Sequence, residues 1–368
     1  MSKKVLNLAR NNAVPIMFVI ICAIFIPMSG FSTSYLLNEI ITRMGRNLFL
    51  VLCLLFPIMA GMGLNFGMTL GAMAAEIAII FVADWQIWGV PGIVLAMILS
   101  IPLSVALGWL CGTLMNMARG REMITGYIMN FFITGWYQFI VLYVMGGVIP
   151  ILHASIQLPR GFGIRNTVSL LNMRQYLDDL LAIRISGVKI PVLTFLVIGM
   201  LCLFIVWFRR TKLGQDMRAV GQDMEVARAA GIKVERTRIL SIIMSTVFAG
   251  FGMVIYLQNM GNLPTYTGHS QIGMFCIAAL LVGGASVEKA TIGNAFLGVI
   301  LFHLMFIVAP KAGGFITGDT MVGEYFRVFL SYGVITVALI MYEAKKRMVR
   351  SRVGQELAAA QKEGEGAQ

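Results

Sequence analysis

The sequence predicts an all-α, polytopic membrane protein. Of its 368 residues, 58% are hydrophobic and only 12% are charged, whereas an average soluble domain carries about 25% charged residues. The mean hydropathy is +0.83, and apolar runs of about 20 residues, long enough to cross a bilayer, recur along the chain. No small-residue cleavage site follows the first run, which is therefore predicted to be a span and not a signal peptide. The composition predicts a multi-pass membrane protein.

Ten apolar runs are predicted to cross the membrane. They cover residues 13–30, 48–64, 67–84, 89–115, 124–147, 190–208, 239–257, 272–286, 292–309 and 326–343. The second and third share the stretch MGLNFGMTLGAM and fit two spans or one broken, partly re-entrant helix. Ten spans separate into five and five around a long outer loop, 148–189, which predicts two halves of inverted topology, as is common in transporters.

Basic residues predict the orientation, because short loops rich in Lys and Arg stay in the cytoplasm. With the N-terminus inside, 20 of the 29 Lys and Arg residues lie in cytoplasmic segments, and the loop 209–238 is the richest of these. Both termini are therefore predicted to be cytoplasmic, and the net charge of +12 needs no nucleic acid partner. Residues 1–345 form the predicted transmembrane domain, and 346–368 form a basic, then polar tail that is predicted to be disordered.

The cytoplasmic loop contains the stretch TKLGQDMRAVGQDMEVARAAGIKV, residues 211–234, which is charged and patterned as helix. Leu213–Val220 is predicted to be one helix that ends at Gly221. Asp223 then stands at the N-cap position of a second, short helix, Met224–Ala230. The pattern predicts a compact helix held between two spans.

The short helix carries its own stop signal and a distinctive surface. Gly231 is predicted to end it. Glu225 and Arg228 are three residues apart and are predicted to pair on its exposed face. Ala227 and Ala230 give it small side chains that allow close approach, so a groove in a partner protein is able to hold it.

The stretch GQDMRAVGQDMEVARAAGIKV resembles the cytoplasmic coupling motif of ABC-importer permeases, in particular the branched-chain amino acid, ribose and nucleoside permease family. The likeness continues through FAGFGMVIYLQNMGNLPTYTG and CIAALLVGGASVEKATIGNAFLG; it covers residues 45–345 and is sharpest over 211–300. The resemblance implies that the short helix sits in a cleft of a separate ATPase. The residues implied to make this contact are Asp223, Met224, Glu225, Ala227, Arg228, Ala230 and Gly231.

The resemblance also implies the rest of an importer. Two ATPases would bind ATP and Mg, and their closure would switch the pathway between inward- and outward-facing states. This chain is predicted to hold no cofactor, since GGASVEKAT lacks the Gly before Lys that a phosphate-binding loop needs. The other implied partners are an extracytoplasmic solute-binding protein and a second permease, identical or different. The predicted solute is a simple sugar or a nucleoside, with a branched-chain amino acid as the alternative.

The outer loop is the predicted meeting point with the solute-binding protein. Leu170–Ile183 is predicted to form an amphipathic helix near the membrane surface. Such a helix serves equally well as a lid over the spans or as a docking surface. The candidate docking residues are Arg160, Arg165, Arg174 and Arg184.

A candidate pathway begins where the second and third spans meet. Gly63, Gly67 and Gly71 follow at four-residue intervals, which is typical of close helix packing. Asn65 and Thr69 lie among these glycines, where the helix is predicted to break. Broken helices in membranes line protein-enclosed cavities because their freed backbone groups need partners.

Polar side chains inside other spans extend the candidate pathway. Glu76 is an acid well inside a span, and it is predicted to line the pathway or to bind a neighbouring helix. The fifth span combines amide and aromatic side chains, which suits a sugar or nucleobase, although Trp136 and Tyr137 are equally typical of the membrane interface. The pathway candidates are Asn65, Phe66, Thr69, Glu76, Asn130 and Tyr137.

Two other classes of function are weighed against an importer subunit. A secondary transporter or channel would use ion-coupling acids or bases at mid-membrane, where Glu76 has no obvious charged partner in the sequence. An intramembrane enzyme would need paired aspartates, a zinc motif or a Ser/His dyad, and FITGDT has a single Asp. The chain is therefore predicted not to be an enzyme, and its scattered histidines predict no metal site.

Overall fold

In the computed structural model of the chain, the residues described are 13–185, 187–319, 321–329, 332, 333, 336 and 340. They contain helices α1 Ala13–Ser29, α2 Thr33–Cys53, α3 Leu55–Met59, α4 Met68–Asp84, α5 Gly89–Met117, α6 Glu122–Phe139, α7 Tyr176–Asp179, α8 Val192–Phe208, α9 Lys212–Gln222, α10 Met224–Ala229, α11 Val234–Met260, α12 Gly268–Val282 and α13 Ile292–Thr317. Helix α6 continues as a π-helical turn, Ile140–Val144, and Leu171–Met173 forms a 3-10 turn. Four short strands complete the described elements: β1 Thr167–Ser169, β2 Ala182–Ile185, β3 Val188–Pro191 and β4 Asn262–Pro264.

These helices confirm the all-α, polytopic class. Within the described residues, five helices are long and apolar enough to cross a membrane: Thr33–Met59, Gly89–Met117, Glu122–Val144, Val234–Met260 and Ile292–Thr317. Helices α8 and α9 together form a sixth candidate that is bent by 74°, and α1 and α12 are shorter apolar helices. The tenth predicted span, 326–343, lies largely outside the described residues, as do the chain start and the tail 346–368. Ten spans and cytoplasmic termini therefore stay predictions.

Two boundaries predicted from the sequence are wrong. The second span begins at Thr33 and not at 48, because the Ser32 side chain accepts a hydrogen bond from the Tyr35 N–H at 3.3 Å and starts a helix there. The predicted amphipathic helix over Leu170–Ile183 is replaced by a 3-10 turn, α7 and β2. Gln175 interrupts it with a left-handed backbone, φ +52°, and β2 pairs with β3 as an antiparallel hairpin.

Helix α4 lies at the centre of the helical packing. All of its side chains are buried except those of Ile77 and Phe81. Glycines let its neighbours approach to backbone contact: a Cβ on Gly71 would lie 1.9 Å from the Thr246 carbonyl oxygen of α11. On α5, a Cβ on Gly108 would lie 2.2 Å from Thr246 Oγ1. The predicted close packing at Gly71 is thus present, and it fixes α4, α5 and α11 as one unit.

The loops gather at two ends of the helices. At one end, a cavity of about 830 Å³ is lined by parts of 58–63, 120–124, 209–222 and 287–291. At the other end, β1 pairs antiparallel with β4, and the Asp84 carboxylate accepts hydrogen bonds from the N–H groups of Leu152 and His153 at 2.9–3.1 Å. The first group contains the segments predicted to be cytoplasmic, and the second contains the predicted outer segments.

A buried carboxylate fastens the outer loop to the spans. Asp178 in α7 is only 3% exposed. It accepts hydrogen bonds from Thr194 Oγ1 at 2.5 Å, Gln258 Nε2 at 3.2 Å and Asn259 Nδ2 at 2.7 Å. Because a buried charge needs partners, these bonds tie α7 to the start of α8 and the end of α11.

We expect Gly71→Ala to destabilise the protein, because the added methyl group meets the Thr246 carbonyl oxygen. Overpacking of this kind costs about 1–3 kcal/mol, which would lower the apparent Tm of the purified protein in detergent. Gly199→Ala is the matched control, since a Cβ there has nothing within 4 Å. Equal Tm values for the two variants would contradict the close packing of α4 on α11.

Candidate translocation pathway and coupling helix

The break between α3 and α4 is held together by one asparagine. Asn65 is fully buried; its Oδ1 accepts the Gly67 N–H at 2.9 Å, and its Nδ2 donates to Ser245 Oγ on α11 at 3.2 Å. Gly61 and Gly63 take left-handed backbone angles, φ +69° and +72°, which turn the chain out of one helix and into the next. The predicted break is therefore present, and Asn65 supplies hydrogen bonds that the interrupted helix lacks.

A chain of polar contacts leads from the break to α6. Thr69, in the first turn of α4, lies with its Oγ1 2.6 Å from Asn130 Oδ1. Thr134, one turn further along α6, donates its hydroxyl to the Asn130 carbonyl oxygen at 2.7 Å. Phe66 packs edge-on against Tyr127 of α6, with ring centroids 5.5 Å apart. The structure thus brings four of the six predicted pathway residues into one cluster with Thr134, and Tyr137 lies one turn beyond it.

The polar chain ends at a buried acid and a buried histidine. His269 Nδ1 lies 2.9 Å from Glu76 Oε2, and both side chains are fully buried. His269 Nε2 lies 3.3 Å from Thr134 Oγ1, and the Tyr137 ring packs edge-on against the imidazole at 5.1 Å. Glu76 thus has an ionisable hydrogen-bond partner that the sequence did not indicate. His269 lies 193 positions further along the chain, so no local pattern pairs it with Glu76.

Helix α6 presents an open face next to this polar chain. Only 17% of its apolar stretch is buried, against 56% for α11. Tyr137 is buried and donates its hydroxyl to the Thr265 carbonyl oxygen at 2.8 Å, whereas Trp136 is 54% exposed. Gln138 Nε2 donates to the Tyr266 carbonyl oxygen at 3.1 Å. Tyr137 is therefore an internal residue, and Trp136 alone keeps the character of a membrane-interface side chain.

The segment that carries Thr265 also contacts the outer loop. Tyr266 donates its hydroxyl to the Ile164 carbonyl oxygen at 2.6 Å. Burial raises the pKa of this hydroxyl above its ordinary value, so it keeps the proton that it donates. The outer ends of α6, α11 and α12 are thus joined through one short segment.

Helix α10, the predicted coupling helix, has the predicted local structure. Asp223 caps it by accepting the N–H groups of Glu225 and Val226 at 2.9 and 3.0 Å. Gly231 follows it with φ +83°, and Arg228 pairs with Glu225 at 3.4 Å. Ala227 is buried against α9 and α11, so it supports the helix from inside and is not itself at the surface.

The outward surface of α10 is small and apolar. Val226 is 66% exposed, and Ala229 and Ala230 are exposed beside it. These three side chains form the apolar part of the exposed surface at α10, beside the charged pair of Glu225 and Arg228.

Ion pairs link α10 to the neighbouring helices. Glu235, in the first turn of α11, pairs with Arg228 at 2.7 Å and with Arg119 at the end of α5. One turn on, the fully buried Arg238 pairs with Glu122 at the start of α6. Glu235 therefore links α10 to the segment after α5, and a separate ion pair links α11 to α6.

A second link joins the coupling region to the helix break. A Cβ on Gly61 would lie 2.9 Å from Gly221 Cα, and a Cβ on Gly221 would lie 2.3 Å from the Met59 carbonyl oxygen. The last turn of α9 thus rests with its backbone directly on the backbone that precedes Asn65. Both surfaces also line the 830 Å³ cavity.

The four candidate docking arginines are exposed on the outer loop. Arg160 donates to the carbonyl oxygens of Leu142 and Phe162, and its guanidinium lies 4.3 Å from the Phe162 ring centroid. Arg165 donates to the Gln157 carbonyl oxygen at 2.8 Å. Arg174 and Arg184 are also solvent-exposed. Arg160 and Arg165 are therefore exposed, and their hydrogen bonds also stabilise the conformation of the loop.

The chain belongs to the permease family described as "Branched-chain amino acid transport system / permease component", which matches residues 36–342. It is therefore a membrane-embedded ABC-transporter permease subunit and not an enzyme. This assignment supports an importer over the secondary transporter or channel that was weighed against it.

Relatives with assigned names belong to the same class. The chain is 25% identical over 332 residues to the "Nucleoside ABC transporter permease protein NupB" of Lactococcus lactis subsp. cremoris (strain MG1363), covering 88% of this chain and 82% of the relative. It is 28% identical over 247 residues to the "Autoinducer 2 import system permease protein LsrD" of Yersinia pseudotuberculosis serotype O:1b (strain IP 31758), covering 67% of this chain and 65% of the relative. No solved structure matches the chain.

We expect Asp223→Ala to loosen α10, because the Glu225 and Val226 N–H groups lose their acceptor. Loss of an N-cap of this type costs about 0.5–2 kcal/mol. Hydrogen exchange followed by mass spectrometry would show faster exchange in 224–229. Asp216→Ala in α9 is the control, since Asp216 caps no helix end. Unchanged exchange in Asp223→Ala would show that α10 is held by packing alone.

Proposed function

We propose that this permease forms the translocation pathway of an ATP-driven importer, together with a second permease, two ATPase subunits and an extracytoplasmic solute-binding protein. The observation that carries the proposal is α10, a short helix capped by Asp223 that leaves Val226 and Ala230 exposed, as a helix held by another protein would. ATP and Mg belong to the ATPase partner in this arrangement. Arg160, Arg165, Arg174 and Arg184 are proposed to face the solute-binding protein, because exposed cations on one loop attract an acidic partner surface.

We further propose that the solute passes along α6 and the helix break. Asn130, Thr134 and Gln138 recur every four residues and therefore share one face of α6. Polar groups of this kind are costly against lipid and usually face a bundle interior or a water-filled cavity. Tyr127 and Phe131, which are 38% and 61% exposed, lie beside this face and suit the flat side of a sugar or nucleobase.

The solute is proposed to be a nucleoside or a simple sugar. The relative from Lactococcus lactis is named for nucleosides, and the family description names branched-chain amino acids. The face of α6 favours a nucleoside over an amino acid. It offers amide and hydroxyl groups near aromatic rings, and it has no charged side chain to pair with an amino acid's ammonium or carboxylate group.

The Gly61–Gly221 contact supplies a route from the ATPase to the pathway. A displacement of α10 acts on α9 through the Asp223 turn, and α9 rests directly on the backbone at Gly61. Asn65 and Thr69 follow Gly61 in the chain and contact α11 and α6. Because packed backbones have no side chain between them to deform, such a contact transmits small shifts.

We expect Ala230→Trp to abolish ATPase binding while leaving membrane insertion intact, because the indole occupies the surface that the groove must cover. Gentle-detergent pull-down from the native host, read by mass spectrometry, would show the ATPase with wild type and not with the variant. Ala154→Trp, at an exposed alanine of the outer loop, is the matched control and should retain the ATPase. Failure of wild type to retain any ATPase after cross-linking would refute the importer assignment.

We expect Gly221→Ala to lower the solute taken up per ATP hydrolysed, because the methyl group pushes α9 away from Met59. ATP hydrolysis and uptake would be measured together in proteoliposomes that contain the complete transporter. Gly293→Ala is the control: it lies in the first turn of α13, and its Cβ would meet only Thr291 Oγ1, at 3.7 Å. The same ratio in both variants would show that this contact does not couple the two activities.

A further inference from the structure

Thr134 is a half-buried hydroxyl on the proposed solute-facing side of α6, and its single proton has two internal acceptors. The hydroxyl oxygen lies 2.7 Å from the Asn130 carbonyl oxygen and 3.3 Å from His269 Nε2. Neither residue is part of the coupling motif, and the two lie on different helices, 135 residues apart. Their arrangement nevertheless determines what Thr134 is able to offer a solute.

Two proton arrangements fit this geometry. If Thr134 donates to the Asn130 carbonyl oxygen, His269 Nε2 carries a proton and donates to Thr134 Oγ1. If His269 Nε2 is unprotonated, Thr134 donates to it. In both arrangements the hydroxyl proton is used inside the protein, so Oγ1 has only lone pairs left for a ligand. One lone pair is left in the first arrangement, where the other accepts the His269 N–H, and two are left in the second.

The buried Glu76–His269 pair holds the imidazole in place. Glu76 Oε2 lies 2.9 Å from His269 Nδ1, which orients the ring so that Nε2 points at Thr134. Glu76 also lies against the start of α12, since a Cβ on Gly268 would be 2.7 Å from Oε1. The His269 hydrogen bond and this close contact with α12 hold the Glu76 side chain in the apolar interior.

Gln138 extends the same face by one helical turn. Its Nε2 is held by the Tyr266 carbonyl oxygen at 3.1 Å, which fixes the direction of the amide. Thr134 and Gln138 are therefore two oriented polar groups about 6 Å apart along the helix axis, the rise of four residues. This spacing fits a small solute that carries more than one hydroxyl.

We propose that Thr134 contacts the solute solely as a hydrogen-bond acceptor, and that Glu76 and His269 are positioning residues that hold it in this role. The inference rests on the proposed function, because it places the solute along α6. It selects neutral solutes that present an O–H donor to Thr134. Glu76 therefore acts on the solute through Thr134 and not by direct contact.

The test compares Thr134→Val with Thr134→Ser in proteoliposomes that contain the complete transporter. Uptake of radiolabelled ribose and uridine would be measured beside ATP hydrolysis. Valine has the shape of threonine without the acceptor, so the KM for uptake should rise roughly threefold to tenfold, the loss of one hydrogen bond. Serine keeps the acceptor and should stay near wild type. A wild-type KM in Thr134→Val would overturn the proposal.

Thr113→Val is the matched control. Thr113 lies in α5 and donates its hydroxyl to the carbonyl oxygen of Trp109, four residues earlier, at 2.8 Å. Thr134 makes the same kind of bond to Asn130, but Thr134 also contacts a histidine, and among the described residues Thr113 has no such contact. The KM of this variant should equal that of wild type. A rise similar to that of Thr134→Val would show that removing any hydroxyl from a span disturbs uptake, and would overturn the proposal.

Glu76→Gln tests the positioning role. It keeps the size of the side chain and should raise the KM, but combined with Thr134→Val it should add nothing further, because both changes act on one contact. Additive effects would overturn the positioning role. ATPase co-purification and solute-stimulated ATP hydrolysis are measured in every sample. If the wild-type protein lacks both, or transports neither ribose nor uridine, the proposed function is refuted, and this inference is refuted with it.

Discussion

The structure depends on one constraint: a helix that is interrupted inside a membrane must satisfy its freed backbone groups from within the protein, because lipid offers no hydrogen bonds. The break between α3 and α4 meets this demand with Asn65, which accepts the Gly67 N–H and donates to Ser245. The partner on α11 must then lie close, and glycine at Gly71 provides the room. The hydrogen bonds of Asn65 at the start of α4 therefore place this helix against α11, at the centre of the packing.

The same constraint determines where the functional parts meet. At the inner end, the break lies against Gly221, so the coupling region and the interrupted helix share a backbone contact. In the interior, Thr69 leads to Asn130 and Thr134, and these lead to His269 and Glu76. These polar side chains therefore contact one another in sequence, from the helix break near the inner cavity towards the outer segment at Thr265.

Local signals in the sequence were sufficient for part of this architecture. The cap at Asp223, the stop at Gly231 and the Glu225–Arg228 pair each depend on residues within four positions, and all three are present. The break near Asn65 is also predicted, because Asn65 and Thr69 stand where two short apolar runs meet. The helix over Leu170–Ile183 failed, since the left-handed backbone at Gln175 is fixed by its N–H donating to the Gln258 carbonyl oxygen at 2.7 Å, a partner far along the chain. His269 was missed for the same reason: no local pattern reports a contact across 193 residues.

The carboxylate of Asp178 has a consequence for the order in which the protein is made. Its partners Gln258 and Asn259 leave the ribosome about 80 residues after Asp178, which at 5–20 residues per second is several seconds later. Strand β1 likewise cannot pair until β4 has been synthesised. During that interval Asp178 has Thr194, 16 residues further on, but not its two amide partners on α11. Its final shape is reached late in synthesis, when α11 arrives.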